Sequence, residues 1–263
     1  MEEVTVKNAV RKAYAEVAEK NSAGEDCGNT KSCCGAPKQT DIEYNKELGY
    51  SEDEVKGVID GANMGLGCGN PTALAALKPG EIVVDLGSGG GFDCFLAAKR
   101  VGKTGHVIGI DMTPEMISKA RLNAKKGNYE NVEFRLGEIE HLPVADNSVD
   151  VIISNCVLNL STDKPQVLRE CGRVLKTGGR VAISDIVATS ELPEKIKQDL
   201  ALYSGCMAGA TPINQLRESL ESAGFVNIKI DVKEATRNFI KKWSYDSGAE
   251  QYVAAANIEA IKG

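Results

Sequence analysis

From Gly80 onward the chain repeats one unit, a short Val/Ile-rich run followed by a loop and a helical segment. That rhythm constrains the fold more than any other feature. EIVVDLG predicts a first strand and GFDCFLAAKRVG its helix; HVIGIDM and PEMISKARLNAKKG repeat the pair. Pro114 stands near the start of the second helix, where a missing N–H costs nothing. NVEFRLGE, VDVIISN and GGRVAISDI predict three further strands. Apolar runs separated by helical segments build a mostly parallel sheet covered on both faces. After Leu192 a long helical crossover leads to NQLRESLESAGF and then to two more strands, FVNIKIDV and EQYVAAANIEA, with the irregular insert KEATRNFIKKWSYDSG between them. The expected fold class is α/β, a doubly wound, mostly parallel, seven-stranded sheet.

Upstream of that rhythm, residues 1–20 predict a helix with Val4, Val6, Ala9, Tyr14 and Val17 at its apolar positions. Residues 21–40 are small, polar and Gly-rich, the composition of a linker or flap. Ser51 followed by Glu54 forms a capping-box signature for a short helix. The expected division is an N-terminal helix and Cys-containing flap over 1–45, a nucleotide-cofactor domain over 46–185, and a smaller C-terminal lobe over 186–263 that completes the sheet. The N-terminal elements are expected to lie as a lid across the core.

A chain of 263 residues can bury one good core. Its net charge of −6 disfavours a nucleic-acid partner, which needs a basic surface. No run reaches the 18 apolar residues of a membrane span, and MEEVTVKNAV lacks the basic flank and apolar stretch of a signal peptide. The expected compartment is the cytoplasm, where structural disulfides are not expected among the eight cysteines. The cysteines fit no compact zinc motif, since the vicinal Cys33–Cys34 pair near Cys27 has no matching second half. Nothing in the sequence fixes an oligomeric state; a monomer is the simpler expectation.

In an open α/β sheet the ligand lies beyond the carboxyl ends of the strands. The first such end here is Asp85 followed by LGSGGG. A dinucleotide loop G-x-G-x-x-G counted from Gly87 needs its last glycine at position 92, which is Phe92. A P-loop fails as well, for want of Gly-Lys-Ser/Thr. A carboxylate just before the glycines repels a pyrophosphate but suits a ligand cationic or neutral at that point, such as the amino-acid end of S-adenosylmethionine. Asp111, closing the second strand, is suited to two ribose hydroxyls. Glu138, ending the third, is suited to an adenine amino group.

Three cysteines occupy separate loops that should open onto the same pocket: Cys68 in GLGCGNP, Cys156 in ISNCVLNL and Cys206 in YSGCMAGA. Cys94 and Cys171 lie in helical segments with packing neighbours and read as structural. Three thiols beside a methyl donor suit a soft, pyramidal atom such as trivalent arsenic, whose lone pair stays free to attack an electrophilic carbon. Thiolate is the binding species, so binding releases protons or exchanges thiols. His106 and His141 occupy strand-start and turn positions and carry no assigned role.

The order DLGSGGG, GIDM, LGEIEHLP and VDVIISN, over roughly residues 75–185, resembles the class I methyltransferases that use S-adenosylmethionine. The resemblance implies that Asp85, Gly87 and Gly89 hold the methionine part, Asp111 the ribose, and Met112 and Glu138 the adenine side. ANMGLGCGNP, VVDLGSGGGFDCFLAAKRVG, GIDMTPEMISKAR, VEFRLGEIEHLPV, ISNCVLNLSTDK and GCMAGA together are similar to the arsenite methyltransferase family. That match runs from about Tyr50 to Gly209, with weaker agreement through AGFVNIKI. The family implies methylation of arsenite or its thiol complexes, with Cys68, Cys156 and Cys206 as arsenic-binding residues and Cys33 or Cys34 as a further thiol. It also implies a small-thiol or thioredoxin reductant. Two rivals stay open at this stage. One is a C- or O-methyltransferase of a small organic substrate, for which the cysteines are incidental. The other is a non-catalytic metalloid or zinc sensor, which leaves the cofactor loops unexplained.

Overall fold

The structure, a computed structural model, describes residues 3–20, 42–241 and 247–263. In chain order the N-terminal helices are α1 (Glu3–Lys20), α2 (Ile42–Glu47), α3 (Glu52–Lys56) and α4 (Pro71–Leu74). The core alternates β1 (Ile82–Leu86), α5 (Phe92–Val101), β2 (His106–Asp111), α6 (Pro114–Lys126), β3 (Val132–Leu136), β4 (Val149–Asn155), α7 (Lys164–Val174) and β5 (Leu175–Ala188). Then come α8 (Glu194–Lys197), α9 (Leu200–Ser204), β6 (Thr211–Pro212), α10 (Ile213–Ser222), β7 (Phe225–Lys233), α11 (Arg237–Lys241) and β8 (Val253–Lys262).

The strands form one sheet in the order β3-β2-β1-β4-β5-β8-β7, with the two-residue β6 pairing beside β5 as an eighth strand. Strands β1 to β5 pair in parallel, whereas β8 runs antiparallel to both β5 and β7. The seven expected strands are therefore all present and β6 is an addition. The long helical crossover is broken into α8, α9 and α10, with Pro193 and Pro212 standing just before two of the starts.

Alternation along β1 shows how the sheet is buried. Val83 belongs to the apolar cluster on one face and Val84 to the cluster on the other, and neither is exposed. Successive strand residues point to opposite faces, so only a sheet covered on both sides hides both. The Ser51 capping box forms as expected, with Glu54 N–H donating to Ser51 Oγ and Ser51 N–H to the Glu54 carboxylate.

The strand order reverses between β1 and β4, the place where an open α/β sheet leaves a crevice at its carboxyl edge. Helix α1 lies over that edge, packed against α6 and α9. The anticipated flap at 21–40, with Cys27, Cys33 and Cys34, lies outside the described residues. No helix among the described residues is long and apolar enough to cross a membrane.

Candidate active site

A cleft opens at the β1/β4 switch point. The loops after β1, β2, β3 and β4 all reach it, through Gly87, Met112, Gly137 and Cys156 among others. Gly87 has φ +67°, and a Cβ there would stand 2.3 Å from Val157 Cγ2. Only glycine combines that backbone with so close an approach. Asp85, Gly89 and Asp111 also line the cleft. The Asp111 carboxylate is anchored by N–H groups of Gly89 at 3.0 Å and Thr113 at 2.8 Å. Glu138 is the exception. Its carboxylate turns to α1, accepting from Lys7 at 3.2 Å and Arg11 at 3.1 Å, while Gly137, Ile139 and Glu140 line the cleft instead.

The floor of the cleft is acidic. Asp85 is 2% exposed, and burial, followed by the nearby Asp93 and Asp111 charges, holds its carboxyl well above the usual range. Burial likewise lifts Asp93 to about 6, against hydrogen bonds from Tyr50 and Asn155 that favour the anion. Asp111 is raised by burial as well. Carboxylates desolvated together favour a cationic guest. Cys94, read as packing, also hydrogen-bonds in this group, its Sγ lying 3.2 Å from Asp85 Oδ2. Ser88 Oγ is buried on the same wall with no partner among the described residues, a polar atom that a ligand can satisfy.

The three loop cysteines converge at one edge of the cleft. The expectation of free thiols is corrected for two of them, because Cys68 and Cys156 are joined in a disulfide. Their Cα atoms stand 5.9 Å apart, within the ordinary range for a bridge, since the loop before α4 folds back onto the end of β4. Cys206 remains a thiol, and its Sγ–H donates to the Cys156 carbonyl at 2.8 Å. The sulfurs of Cys156 and Cys206 and a carboxylate oxygen of Asp185 all lie within 4.8 Å of one another. Cys156 and Cys206 both have left-handed backbones, φ 56° and 63°, which non-glycine residues rarely adopt. Cys171 is buried in α7, far up its titration range at about 12, as a structural thiol should be.

Two residues without a prior assignment shape this edge. Asp185, on β5, is fully buried and accepts from Leu158 N–H at 2.8 Å, Asn159 Nδ2 at 2.9 Å and Ile186 N–H at 2.7 Å. Burial lifts it to about 6, with Lys164 the nearby cation. Asn155, the last residue of β4, receives the Cys68 N–H at 2.9 Å. The signal available for Asn155 was a polar residue at a strand end beside a cysteine; for Asp185 it was only a carboxylate within an otherwise apolar strand.

The methyltransferase-domain family model matches residues 77–224, more than half of the chain. The arsenite methyltransferase of Halobacterium salinarum is 51% identical over 261 residues, covering 96% of this chain and 66% of the relative. The human arsenite methyltransferase is 41% identical over 152 residues, covering 54% of this chain and 40% of the relative. The chain thus spans less than two thirds of these relatives' lengths. The X-ray crystal structure of an arsenic(III) S-adenosylmethionine methyltransferase from Chlamydomonas reinhardtii superposes with a TM-score of 0.62 at 31% identity, covering 84% of this chain and 73% of that one. The matched domain, the sequence identity and the shared fold lead to one conclusion: the chain belongs to the arsenite methyltransferase family of the class I methyltransferase superfamily.

Proposed function

We propose that the chain transfers the methyl group of S-adenosylmethionine to trivalent arsenic held by Cys68, Cys156 and Cys206. One observation carries this reading. Cys156 stands on the wall of the cleft and, at the same time, against Cys68 and Cys206. A metalloid held there lies directly beside whatever fills the cleft.

The residues present fit the cofactor. Among the described residues, the buried carboxyls of Asp85, Asp93 and Asp111 form no ion pair with a basic side chain, which favours a cationic ligand. Asp85, Gly87 and Gly89 would hold its amino-acid end, Asp111 its ribose, and Met112 and Ile139 its adenine side. Ser88 Oγ is available to hydrogen-bond it. When bound, the cofactor supplies a methyl group made electrophilic by its sulfonium.

The thiolates' task is to hold arsenic by three sulfurs and leave its lone pair facing the cleft. That nucleophile carries no proton, so the chain needs no general base for the transfer. Alignment is the main catalytic device, worth on the order of 7–11 kcal/mol at best. The two left-handed cysteines fit this task, since their backbones hold the thiols in place before the substrate arrives. With Cys68 and Cys156 bridged, only one of the three thiols is available. A two-electron reductant, a small thiol or thioredoxin, must open the bridge before arsenite can take all three.

Incubating the reduced protein with arsenite, glutathione and S-adenosylmethionine should yield methylated arsenicals on chromatographic separation. Cys156→Ser should yield none while binding the cofactor nearly as well as the parent. Turnover retained in Cys156→Ser, or absent from the reduced parent, overturns the reading.

A further inference from the structure

Asn155 joins two parts of the site that would otherwise be independent. Its Oδ1 accepts the backbone N–H of Cys68 at 2.9 Å, and its Nδ2 donates to the Gly69 carbonyl at 2.8 Å, so one side chain grips both ends of the Cys68 peptide segment. The other N–H of the same Nδ2 is shared between Tyr50 Oη at 3.0 Å and Asp93 Oδ2 at 3.1 Å, both of which line the cleft. Tyr50 Oη in turn donates to Asp93 Oδ1 at 2.7 Å. An N–H facing Oδ1 and three acceptors facing Nδ2 permit only one orientation of the amide.

The surrounding sequence makes room for this grip. A Cβ on Gly67 would stand 2.6 Å from Asn155 Nδ2, so the residue just before Cys68 has to be bare for the amide to reach the Cys68 backbone. Tyr50 is 3% exposed and Asp93 8%, so the Tyr50–Asp93 end of the network is buried, where hydrogen bonds to a charged group are worth most. Asp93 sits at the start of α5, just past the glycine loop. A ligand that changes the field on the acidic floor therefore acts on Asp93, and through its two oxygens on Tyr50 and Asn155.

We propose that Asn155 is a positioning residue that couples occupancy of the cleft to the order of the Cys68 loop, so that filling the cofactor pocket fixes one of the three thiols. The identity of the cleft ligand rests on the function proposed above; the coupling does not depend on arsenic. By linkage, a metalloid bound at Cys68 would tighten the cofactor by the same factor.

Amide hydrogen exchange of the Cys68 loop in the reduced protein, with and without S-adenosylhomocysteine, tests this. In the parent, S-adenosylhomocysteine should slow exchange at the Cys68 amide by about tenfold, a typical size for coupling between sites. In Asn155→Ala the effect should shrink to about twofold or less, while S-adenosylhomocysteine affinity falls by a smaller factor. Tyr50→Phe keeps the ring and the grip on Cys68 but cuts one link to Asp93, and should give an intermediate response; it serves even if Asn155→Ala folds poorly. A response equal in the parent and both variants overturns the proposal, as does a parent loop that ignores the ligand. A parent whose loop responds but which methylates no arsenite supports the coupling and refutes the metalloid reading alone.

Discussion

At the scale of single residues, the site is built on two backbones that cysteine adopts at a cost. A left-handed conformation costs an L-residue roughly 1–2 kcal/mol, and Cys156 and Cys206 both adopt it, at φ 56° and 63°. The cost is specific to having a Cβ, so glycine at 206 relieves it while removing the sulfur. Cys206→Gly is therefore expected to melt within a few degrees of the parent and to keep its cofactor affinity, yet bind arsenite at least about tenfold more weakly for want of a thiol. Cys206→Val, β-branched at the same φ, should be clearly less stable. Thermal unfolding and an arsenite titration separate the two effects, and unchanged arsenite affinity in Cys206→Gly would remove residue 206 from the ligand set. Such residues were legible because three cysteines in polar, Gly-rich loops have few structural uses. Asn155 was not legible, because its partners Tyr50 and Asp93 lie 105 and 62 positions away and only the folded sheet joins them. Glu138 was legible as a polar strand end but not in direction, which is set by Lys7 and Arg11 from the far end of the chain.

At the scale of elements, α1 is the part of the cleft wall with least sequence signal for function. Val6 and Val10 are 2% and 1% exposed, so docking rests on apolar burial, roughly 1.5–3 kcal/mol for each such side chain. The pairs from Lys7 and Arg11 to Glu138 involve half-exposed groups and add about 1 kcal/mol or less, setting direction more than strength. Lys7 and Tyr14 line the cleft, and Tyr14 Oη donates to the Ser204 carbonyl at 3.3 Å, two residues before Cys206. Undocking α1 should therefore open the cofactor pocket. Val10→Asp is expected to raise KM for S-adenosylmethionine several-fold and expose α1 to proteolysis, whereas Arg11→Met, which removes only an exposed pair to Glu138, should change both little. If Val10→Asp loosens α1 without moving KM, the helix is a cover with no part in cofactor binding. The order of strands and helices from β1 to β5 was readable because each apolar run has the length and β-branched content of a buried strand. The fragmentation of the crossover into α8, α9 and α10 was not, since it depends on how the segment carrying Cys206 is drawn back against the end of β4.

At the scale of the whole molecule, placing a site at the carboxyl edge of a buried sheet leaves carboxylates where water cannot reach them, and folding must bear that cost. Asp185 shows its size. Its carboxyl titrates near 6 in the folded protein against an ordinary 3.8, chiefly through burial, with the three donors and Lys164 opposing. A folded-state value above the unfolded one means that the favourable contribution is complete below about 4 and is lost as pH rises through about 6. The difference corresponds to on the order of 3 kcal/mol across that window. Cys206 and Lys164 are the titratable groups facing Asp185, and neither is altered by the substitution Asp185→Asn. In acid the parent carboxyl is protonated but both its oxygens can still accept, whereas asparagine has one acceptor oxygen and an NH2 that must face a donor, so Leu158 N–H, Ile186 N–H and the Asn159 amide cannot all be satisfied and the variant should be the less stable protein in acid. The gap between parent and variant should narrow as pH rises from 4 to 7, by up to about 3 kcal/mol, because only the parent pays for a buried anion there. Urea unfolding of both proteins at several pH values measures it. A gap that stays constant or widens with pH would mean that the hydrogen bonds to the carboxylate outweigh its burial, and that this edge of the sheet is organised around a stable anion.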